Sequence, residues 1–387
     1  MRNIIRFLFS VFVFFFVGCK GVNKDNKYYL ESKEIIEVDA GFHAMFSNIY
    51  SDDNSEYIFL WDAITYKQAV FYDLRSKKII DQIQLDTVAG KLPGIETINV
   101  RSRDSIFVLA NYSNKIFLID NDGVILEKYD FDSLICQNKR YTARKSNVNE
   151  FIDDRNRVLV NCEYSYYNDD VENKPDKWDE WRSNSHKSPY LFMINDLFDD
   201  SIQTKFFASN FYNRFTTSRQ EVLEVAKYLS SKESVFIFSI FVDTIYEYSL
   251  ISGDLKKLHH IQSNYTNLGY EPPTVNQVKQ GYHNTLAQTK GIISGLIYDE
   301  FTKRFLVTVQ HEIPIETPQT DRLRPWSILI YDSEFNKLGE IKMDEKKYKA
   351  KLYVTSKGIL VPTRILEQKD EDYFNKTTFE LFELVQN

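Results

Sequence analysis

Residues 48–85 read NIYSDDNSEYIFLWDAITYKQAVFYDLRSKKIIDQIQL and contain two apolar hairpins joined by a short connection. The first hairpin spans 48–61 and turns around Asp52, and the second spans 69–85 and turns around Asp73. Aromatic and β-branched residues favour strands, and Asp, Asn and Ser favour turns because their short side chains bond to the local backbone. This stretch therefore predicts four consecutive antiparallel strands.

The same unit recurs along the rest of the chain. Hairpins equivalent to the first occur at 98–110, 151–162, 225–240, 294–309 and 351–362, and hairpins equivalent to the second occur at 115–131, 189–207, 244–261 and 326–343. Repetition of one hairpin pair indicates a repeat architecture in which neighbouring units bury each other's apolar faces. Five units are complete, and the sixth consists of hairpin 351–362 and one further strand, Thr377–Val385.

The missing fourth strand of the last unit has a candidate at the other end of the chain. Residues Tyr28–Val38, YYLESKEIIEV, have strand character and belong to no unit of their own. If they pair with Thr377–Val385, the first and last units share a sheet and leave no open edge. The pattern predicts an all-β fold, a six-bladed β-propeller of four-stranded antiparallel blades, closed by strand 28–38 pairing with strand 377–385.

Two other organisations are compatible with the hairpin pattern. The hairpins could be divided between two β-sandwich domains, or segment 263–290 could contain strands of a seventh blade. Helical periodicity is rare in the chain. Residues 218–228, SRQEVLEVAKY, predict a helix with Ser218 as its N-terminal cap and Glu221 three residues later.

The N-terminus has the features of an export signal. Residues 1–18 combine two arginines with an apolar run that is shorter than the roughly 20 residues needed to span a bilayer. The run ends directly before Cys19 and resembles the lipobox of bacterial lipoproteins, with Phe16 where that motif usually has leucine. The resemblance implies cleavage before Cys19 and lipidation of that residue, including palmitate. An ordinary signal peptide followed by an incidental cysteine is the alternative.

This interpretation divides the chain into three parts. Residues 1–18 form a lipoprotein signal peptide, 19–27 a polar tether that begins with lipidated Cys19, and 28–387 a single propeller domain. The acyl chains would hold the protein to a membrane of the cell envelope, since each buried CH₂ group contributes ~0.8 kcal/mol. Lys20 stands where aspartate signals inner-membrane retention in well-known lipoproteins, so the resemblance implies the outer membrane.

Charge and cysteine content argue against several classes of protein. The formal net charge is −7, and it becomes about −9 when the signal peptide is removed with Arg2 and Arg6. Nucleic-acid-binding domains usually present a basic face, so no nucleic-acid partner is expected. The longest basic cluster, 346–351, is interpreted as a solvated turn or strand edge. Cys136 and Cys162 could pair, but no cysteine or histidine cluster indicates a metal, and no cofactor is expected.

The chain as a whole resembles a known group of proteins. Its lipobox, its length, its Phe- and Tyr-rich hairpins and its closing N-terminal strand are similar to those of uncharacterised six-bladed propeller-like lipoproteins of gut-dwelling Gram-negative bacteria. The resemblance covers about residues 19–387 and rests on pattern and composition. It implies the fold and the membrane-anchored location, and it transfers no catalytic residue.

The connections between the predicted strands differ in length. In an up-and-down blade, the turns between strands one and two and between strands three and four lie at one end, and all other connections lie at the opposite end. The short turns belong to the first set. The long segments belong to the second set and are 132–147, 163–188, 208–224, 263–291, 310–325 and 363–376. Long loops in compact domains are usually functional, so their end of the propeller is the predicted binding surface.

Aromatic and charged residues in three long segments are the candidate binding residues. They are Tyr164, Trp178, Trp181, His186, Tyr270, His283, His311, Arg322 and Arg324, with Trp326 directly after the third segment. Aromatic rings beside carboxylates suit a glycan, a peptide or an envelope protein, and the arginines suit a carboxylate or phosphate. Alternatively, Trp178 and Trp181 hold their loop against the propeller, and the arginines form salt bridges with Glu312 or Glu316.

Motifs of common enzyme classes are not found in the sequence. It contains no GxSxG elbow, no HExxH helix, no P-loop and no GxGxxG turn, so we assign no catalytic or metal-binding residue. The sequence therefore favours a non-catalytic binding or scaffold lipoprotein. The alternative is a propeller hydrolase or lyase in which His43, His186, His283 or His311 meets carboxylates at the channel mouth.

Overall fold

The structure is a computed structural model of the chain. It describes residues 27–62, 64–85, 95–110, 115–130, 141–143, 150–152, 157–164, 191–195, 203–207, 226–230, 233–240, 242–270, 288–314, 323–364 and 376–387. Within these ranges the regular structure is almost entirely β-strand, and only residues 288–289 are helical. In this part of the chain, no helix has the length and apolar character that crossing a membrane requires.

The described strands follow the predicted hairpins closely. They are β1 (Tyr28–Asp39), β2 (Ala44–Ser51), β3 (Glu56–Asp62), β4 (Gln68–Asp73), β5 (Lys78–Gln84), β6 (Ile95–Ser102), β7 (Ser105–Ala110), β8 (Lys115–Ile119), β9 (Ile125–Asp130), β10 (Tyr141–Ala143), β11 (Glu150–Ile152), β12 (Arg157–Tyr164), β13 (Leu191–Asn195), β14 (Gln203–Phe207), β15 (Ala226–Ser230), β16 (Ser234–Ser239), β17 (Thr244–Ser249), β18 (Leu255–His260), β19 (Ile292–Asp299), β20 (Arg304–Gln310), β21 (Trp326–Tyr331), β22 (Lys337–Met343), β23 (Tyr353–Thr355), β24 (Gly358–Pro362) and β25 (Lys376–Gln386).

These strands form six antiparallel sheets, numbered here in chain order. Sheets 1, 2, 4 and 5 contain β2–β5, β6–β9, β15–β18 and β19–β22, and each has its four strands in chain order. Sheet 6 has the order β1-β25-β24-β23, and sheet 3 contains β10–β14. Four-stranded antiparallel blades with chain-order pairing are the units of a β-propeller, so this fold class is confirmed.

Sheet 3 differs from the predicted four-stranded blade because it has five strands. Segment 132–147 was predicted to be a loop, but its residues 141–143 form β10, which pairs with 162–164 of β12. The short strand β11 pairs with residues 157–159 of β12, while β13 pairs with β12 as well. Since a strand has two edges and β13 occupies one, β10 and β11 lie end to end along the other edge of β12.

Strand β1 pairs with β25, as the sequence predicted. The antiparallel register runs from Tyr28 opposite Gln386 to Asp39 opposite Lys376, with one irregularity between Ser32 and Glu34. The first strand of the domain therefore covers the edge that β25 would otherwise leave open. In the same region the backbone N–H of Asn387 donates to the carbonyl oxygen of Lys27 at 2.8 Å.

Apolar side chains pack between neighbouring sheets. One core cluster joins Phe59 and Phe71 of sheet 1 to Ile106 and Phe117 of sheet 2. Similar clusters join sheet 6 to sheet 1, sheet 5 to sheet 6, and sheet 4 to sheet 5. Central strands such as β21 are buried along their whole length, while outer strands such as β5 are mostly exposed. Two-sided burial explains why the central strands are continuous apolar runs rather than alternating ones.

The first strands of the sheets lie close to one another. Strand β2 contacts both β6 and β23, and β19 contacts both β15 and β23. Strand β6 also contacts β11. These contacts place β2, β6, β15, β19 and β23 on the inner side of the arrangement, as in a propeller whose inner strands surround a central axis.

Two further predicted segments, 218–228 and 263–290, lie only partly within the described residues. Residues 226–228, the end of the predicted helix 218–228, lie in β15 and pair with β16, so the helix prediction is wrong there. Pairing with a buried neighbour outweighs the modest helix propensity of three residues. Of segment 263–290, residues 263–270 and 288–290 contain no strand. Residues 218–225 and 271–287 lie outside the described ranges.

Candidate functional site

The strand directions define two ends of each sheet. We call the end that carries the β2–β3, β4–β5, β19–β20 and β23–β24 turns the tight-turn end. The opposite end, which we call the long-loop end, carries the connections after β12, β14, β18, β20 and β24. Most residues of those connections lie outside the described ranges, so the structure shows mainly the strand ends and short flanking stretches from which they start.

Three predicted binding residues meet at the long-loop end of sheet 5. His311 directly follows β20, and its backbone N–H donates to the carbonyl oxygen of Pro325 at 2.8 Å. The Arg324 Nε donates to the carbonyl oxygen of His311 at 3.1 Å, and the Arg324 Nη2 donates to the carbonyl oxygen of Lys290. Burial lowers the pKa of Arg324 to about 10, while nearby Tyr270 acts in the opposite direction. Burial also raises the pKa of Tyr270.

Trp326 is not a binding residue in this structure. Its side chain is fully buried in the core cluster shared by sheets 5 and 6. A ring at the first position of β21, a central strand, packs against both neighbouring faces and has no exposed surface for a ligand. The prediction for this residue is therefore wrong, and its role is in the core.

His311 is held in a buried hydrogen-bond chain. The Ser327 hydroxyl donates its proton to Glu340 Oε1 at 2.7 Å. The His311 Nε2 lies 3.0 Å from Ser327 Oγ, so this nitrogen must carry a proton and donate it to the serine oxygen. The Tyr265 ring stacks on the imidazole with a centroid distance of 5.7 Å. Burial lowers the pKa of His311, although Glu340 acts in the opposite direction. The ring is therefore a neutral structural group near pH 7.

Glu340 joins the segment after β18 to sheet 5. It accepts bonds from the Ser263 hydroxyl at 2.6 Å, the Asn264 backbone N–H at 2.6 Å and the Lys337 ammonium at 2.9 Å, besides the bond from Ser327. The side chain is completely buried. Burial opposes its ionisation, but the hydrogen bonds outweigh burial and lower the pKa of Glu340. This carboxylate therefore fixes the base of the long connection between sheets 4 and 5.

A second carboxylate and histidine lie in sheet 4, where His259 is buried and Glu247 is partly buried. Glu247 accepts bonds from the Ser234 hydroxyl at 2.8 Å, the Lys256 ammonium at 2.9 Å and the His259 Nε2 at 3.0 Å. The imidazole of His259 stacks on the ring of Phe335 with a centroid distance of 3.9 Å. Burial lowers the pKa of His259, although Glu247 acts in the opposite direction. This histidine therefore stabilises the contact between sheets 4 and 5.

The histidines of the enzyme hypothesis are only partly described. His43 lies near Asp62. Burial raises the pKa of the Asp62 carboxyl, but hydrogen bonds from Thr65 and Ile64 and the charge of His43 outweigh burial, so the pKa is lowered overall. Among the described residues, no group of three His, Cys, Asp or Glu side chains could hold a metal ion. His186 and His283 lie outside the described ranges, so whether four histidines meet at the channel mouth stays untested.

Several other predicted residues also fall outside the structural description. These are Cys19, Cys136, Trp178, Trp181, His186, His283, Glu316 and Arg322. Tyr164 is the last residue of β12 and pairs with Tyr141 at the backbone, which places it at the long-loop end. Cys162 lies two residues earlier in the same strand.

Turns of three sheets line an open cavity of about 710 Å³ at the tight-turn end. Its lining comprises Ser51, Asp52, Asp53, Asn54, Ser55, Glu56, Leu74, Arg75, Glu300, Phe301, Ser356 and Lys357. Glu56 of sheet 1 accepts bonds from the backbone N–H and hydroxyl of Ser356 of sheet 6, at 2.7 and 2.6 Å. The sequence analysis missed this cavity, although Phe301, half-exposed in a polar turn, is a signal that could have indicated it.

Comparison with known proteins places the chain in a family. Residues 25–342 match the family described as "Domain of unknown function (DUF4221)". The chain belongs to DUF4221. A DUF4221 member from Bacteroides vulgatus has a similar crystal structure, with a TM-score of 0.68 and 16% identity over 94% of this chain and 100% of that chain. This membership confirms the expected resemblance to uncharacterised propeller-like proteins.

A second structure resembles the DUF4221 chain more distantly. It is a candidate exported protein from Bacteroides fragilis, with a TM-score of 0.52 and 13% identity over 95% of this chain and 98% of that chain. At such identities the likeness shows the fold alone. Among curated proteins, no sequence matches this DUF4221 chain.

The Glu340 network gives a testable prediction for this DUF4221 chain. Glu340→Gln should lower the free energy of unfolding by about 2–3 kcal/mol near pH 7, because Lys337 loses its buried counter-charge. The folded-state pKa of Glu340 is lowered, so its contribution is present above the unfolded value of ~4.3 and is lost as the pH falls through the folded value. Chemical denaturation at several pH values measures both effects.

The matched control is Glu334→Gln, an exposed carboxylate in the β21–β22 turn of the same sheet. It should change the stability by less than ~0.5 kcal/mol. Equal effects of the two substitutions, or a Glu340→Gln effect that persists unchanged below pH ~3, would contradict the role given to Glu340.

Proposed function

We propose that this protein is an exported, lipid-anchored binding or scaffold protein. Its propeller engages a glycan, a peptide or an envelope protein with the long-loop end, and it has no catalytic role. The observation that carries this proposal is the direction of β1. Tyr28 pairs with Gln386 at the tight-turn end, and Asp39 pairs with Lys376 at the long-loop end.

This direction orients the domain on the membrane. A lipid on Cys19 is followed by residues 20–27, which span roughly 26–29 Å when fully extended. The tether then enters the domain at Tyr28, so the tight-turn end faces the bilayer. The long-loop end points away from it, where a large partner can approach. The expected outer-membrane location rests on Lys20 after the lipobox cysteine, and export is supported by the candidate exported protein of similar fold.

A closed ring of six blades is part of the same proposal. Six sheets are described, and their first strands contact one another in chain order around most of the set. Strand β23 of sheet 6 contacts both β19 of sheet 5 and β2 of sheet 1. In this proposed arrangement the last sheet adjoins the first, and the strand ends that lead into the long connections surround one mouth of a central channel.

The described part of the long-loop end favours binding over catalysis. His311 donates its ring proton into a buried chain, and Glu340 accepts four internal hydrogen bonds. Both side chains are buried, so neither presents an exposed surface to a substrate. They do provide a rigid base for the loops above them, and rigid support lowers the entropic cost of binding a partner.

Binding is tested with an array of glycans and envelope proteins. We expect full-length chain in neutral detergent to retain at least one partner, and shortening of 165–190 and 271–287 to abolish that binding because the loops contain the proposed contact residues. Phe301→Ser, at the tight-turn end, is the control and should bind like the wild type. A loop-shortened chain that folds normally and binds equally well would overturn the proposal.

The anchor has its own test. Cys19→Ala should prevent incorporation of labelled palmitate and move the chain out of the membrane fraction, because that sulfur is the proposed lipid attachment site. Lys20→Ala is the neighbouring control for lipidation and should leave palmitate incorporation intact. Palmitate on the Cys19→Ala chain, or a wild-type chain without acyl groups, would contradict lipidation at this residue.

A further inference from the structure

The wall of the open cavity at the tight-turn end is fixed by hydrogen bonds between turns. The backbone N–H of Leu74, in the β4–β5 turn, donates to the carbonyl oxygen of Glu56 at 2.9 Å. The Glu56 carboxylate accepts the two bonds from Ser356 that join sheet 1 to sheet 6. In the β2–β3 turn, the Asp52 carboxylate accepts the backbone N–H of Asn54 at 2.8 Å. Turns bonded in this way form a wall that exists before a ligand arrives, which lowers the entropic cost of binding.

Two cationic side chains lie on this wall. The Arg75 Nη1 donates to the carbonyl oxygen of Asn54 at 3.4 Å, and the Lys357 Nζ donates to the carbonyl oxygen of Leu74 at 3.3 Å. Since Leu74 directly precedes Arg75, the Lys357 ammonium lies beside the backbone of Arg75. Among the described residues, neither cation has a carboxylate within ion-pair distance. Both side chains therefore keep N–H donors that can bind an oxyanion.

Two carboxylates that line the same cavity are also unoccupied. They belong to Asp53 in the β2–β3 turn and Glu300 in the β19–β20 turn, and both residues are exposed. Within the described part of the chain, neither carboxylate accepts a hydrogen bond or forms an ion pair. The other two carboxylates of the lining differ, because those of Asp52 and Glu56 accept bonds from the protein itself. Asp53 and Glu300 can therefore accept N–H groups from a ligand.

The combination of charges selects the class of ligand. Four carboxylates and two cations line the cavity, so a simple anion would meet an excess of negative charge. A simple cation would leave Arg75 and Lys357 without a partner, and among the described residues no group of His, Cys, Asp or Glu side chains could hold a metal ion. A ligand that carries both an oxyanion and an ammonium group matches both pairs of side chains, and such complementarity gives a polar site its specificity.

We propose that this cavity binds the zwitterionic headgroup of a membrane lipid, in which a short chain joins a phosphate to an ammonium group. Arg75 and Lys357 bind the phosphate oxygens, and Asp53 and Glu300 accept the ammonium N–H groups. The inference rests on the proposed function, in which the tight-turn end faces the bilayer because the chain enters β1 at that end. Lipid headgroups are concentrated at a bilayer surface, and an open cavity of about 710 Å³ has room for one.

The test titrates full-length chain in neutral detergent with glycerophosphoethanolamine, which is the headgroup without its acyl chains, and follows binding by ligand-detected NMR at low ionic strength. A ligand of this size should bind saturably, with a Kd on the order of 1 mM. The second probe is O-phosphoethanolamine, a phosphate monoester that represents a free metabolite rather than a lipid. Binding of O-phosphoethanolamine without binding of glycerophosphoethanolamine would overturn the assignment to a lipid headgroup.

Two double variants test the two halves of the site separately. Arg75→Gln/Lys357→Gln removes the charges proposed to bind the phosphate, and Asp53→Asn/Glu300→Gln removes those proposed to bind the ammonium group. Each should weaken binding of glycerophosphoethanolamine at least about tenfold, because each loses a set of charge-assisted hydrogen bonds. Weaker binding by only one double variant would overturn the zwitterion assignment, since the site would then recognise a single charge.

The matched controls are Lys78→Gln and Glu334→Gln. Both residues are exposed charges near turns of the tight-turn end, and neither lines the cavity. The controls should bind glycerophosphoethanolamine within about twofold of the wild type. The Tm of every variant should match that of the wild type, because all the replaced side chains are exposed. No saturable binding by the wild type, or unchanged affinity of both double variants, would overturn the proposal.

These results can be separated from those that test the proposed function. If the chain incorporates palmitate and has a loop-dependent partner but glycerophosphoethanolamine does not bind, the headgroup site fails while the anchored binding function stands. If glycerophosphoethanolamine binds through the four cavity side chains and no loop-dependent partner is found, the headgroup site stands and the broader proposal fails.

Discussion

The antiparallel pairing of β1 with β25 is the interaction on which the rest of the structure depends. It completes sheet 6, and it also places Ile36 and Val38 in the core shared with sheet 1. At the other end of β1, Tyr28 packs in the core shared by sheets 5 and 6, and its ring lies 4.7 Å from the Arg304 guanidinium. One strand thus joins three neighbouring sheets. Its direction also decides the end of sheet 6 at which the chain enters β1.

Buried carboxylates are the second constraint on the arrangement. Glu340 and Glu380 are each bonded to a lysine and to at least one hydroxyl group. A buried charge is costly unless its hydrogen-bonding capacity is filled, so these side chains fix the elements that supply their donors. Glu340 fixes the start of the connection to sheet 5, and Glu380 holds Lys347 and Tyr348 in the segment between β22 and β23.

Much of the fold could be predicted from the sequence because strands and turns have local signals. The hairpins quoted from 48–85 correspond to β2–β5, and the unassigned strand at 28–38 corresponds to β1. The signal is weaker where a sheet is assembled from short pieces. Residues 141–143 have no local signal for pairing with β12. They pair there because β12 extends past the three residues that pair with β11, and the length of β12 cannot be read from residues 141–143 themselves.

The candidate site was less predictable, because the position of its side chains depends on contacts between residues that are distant in sequence. Residue type identified His311, Arg324 and Tyr270, which do meet, but it also selected Trp326, whose burial is set by the packing of sheets 5 and 6. Lys349 and Lys351 look like ordinary turn lysines in the sequence. Only the path of their segment across sheet 6 places the backbone of Lys349 beside residues 362–364.

The pairing of β1 with β25 can be measured directly by cross-linking. Glu31 and Glu383 are exposed Cα partners in this register, at a separation that a disulfide can bridge. Glu31→Cys/Glu383→Cys should form that disulfide rapidly in the folded chain and raise the free energy of unfolding by at most about 5 kcal/mol, because the bond closes a very long loop. Glu31→Cys/Gln386→Cys, displaced by three residues, should not cross-link. Failure of the first pair to cross-link, or equal cross-linking of both pairs, would contradict the closure on which this account of the fold depends.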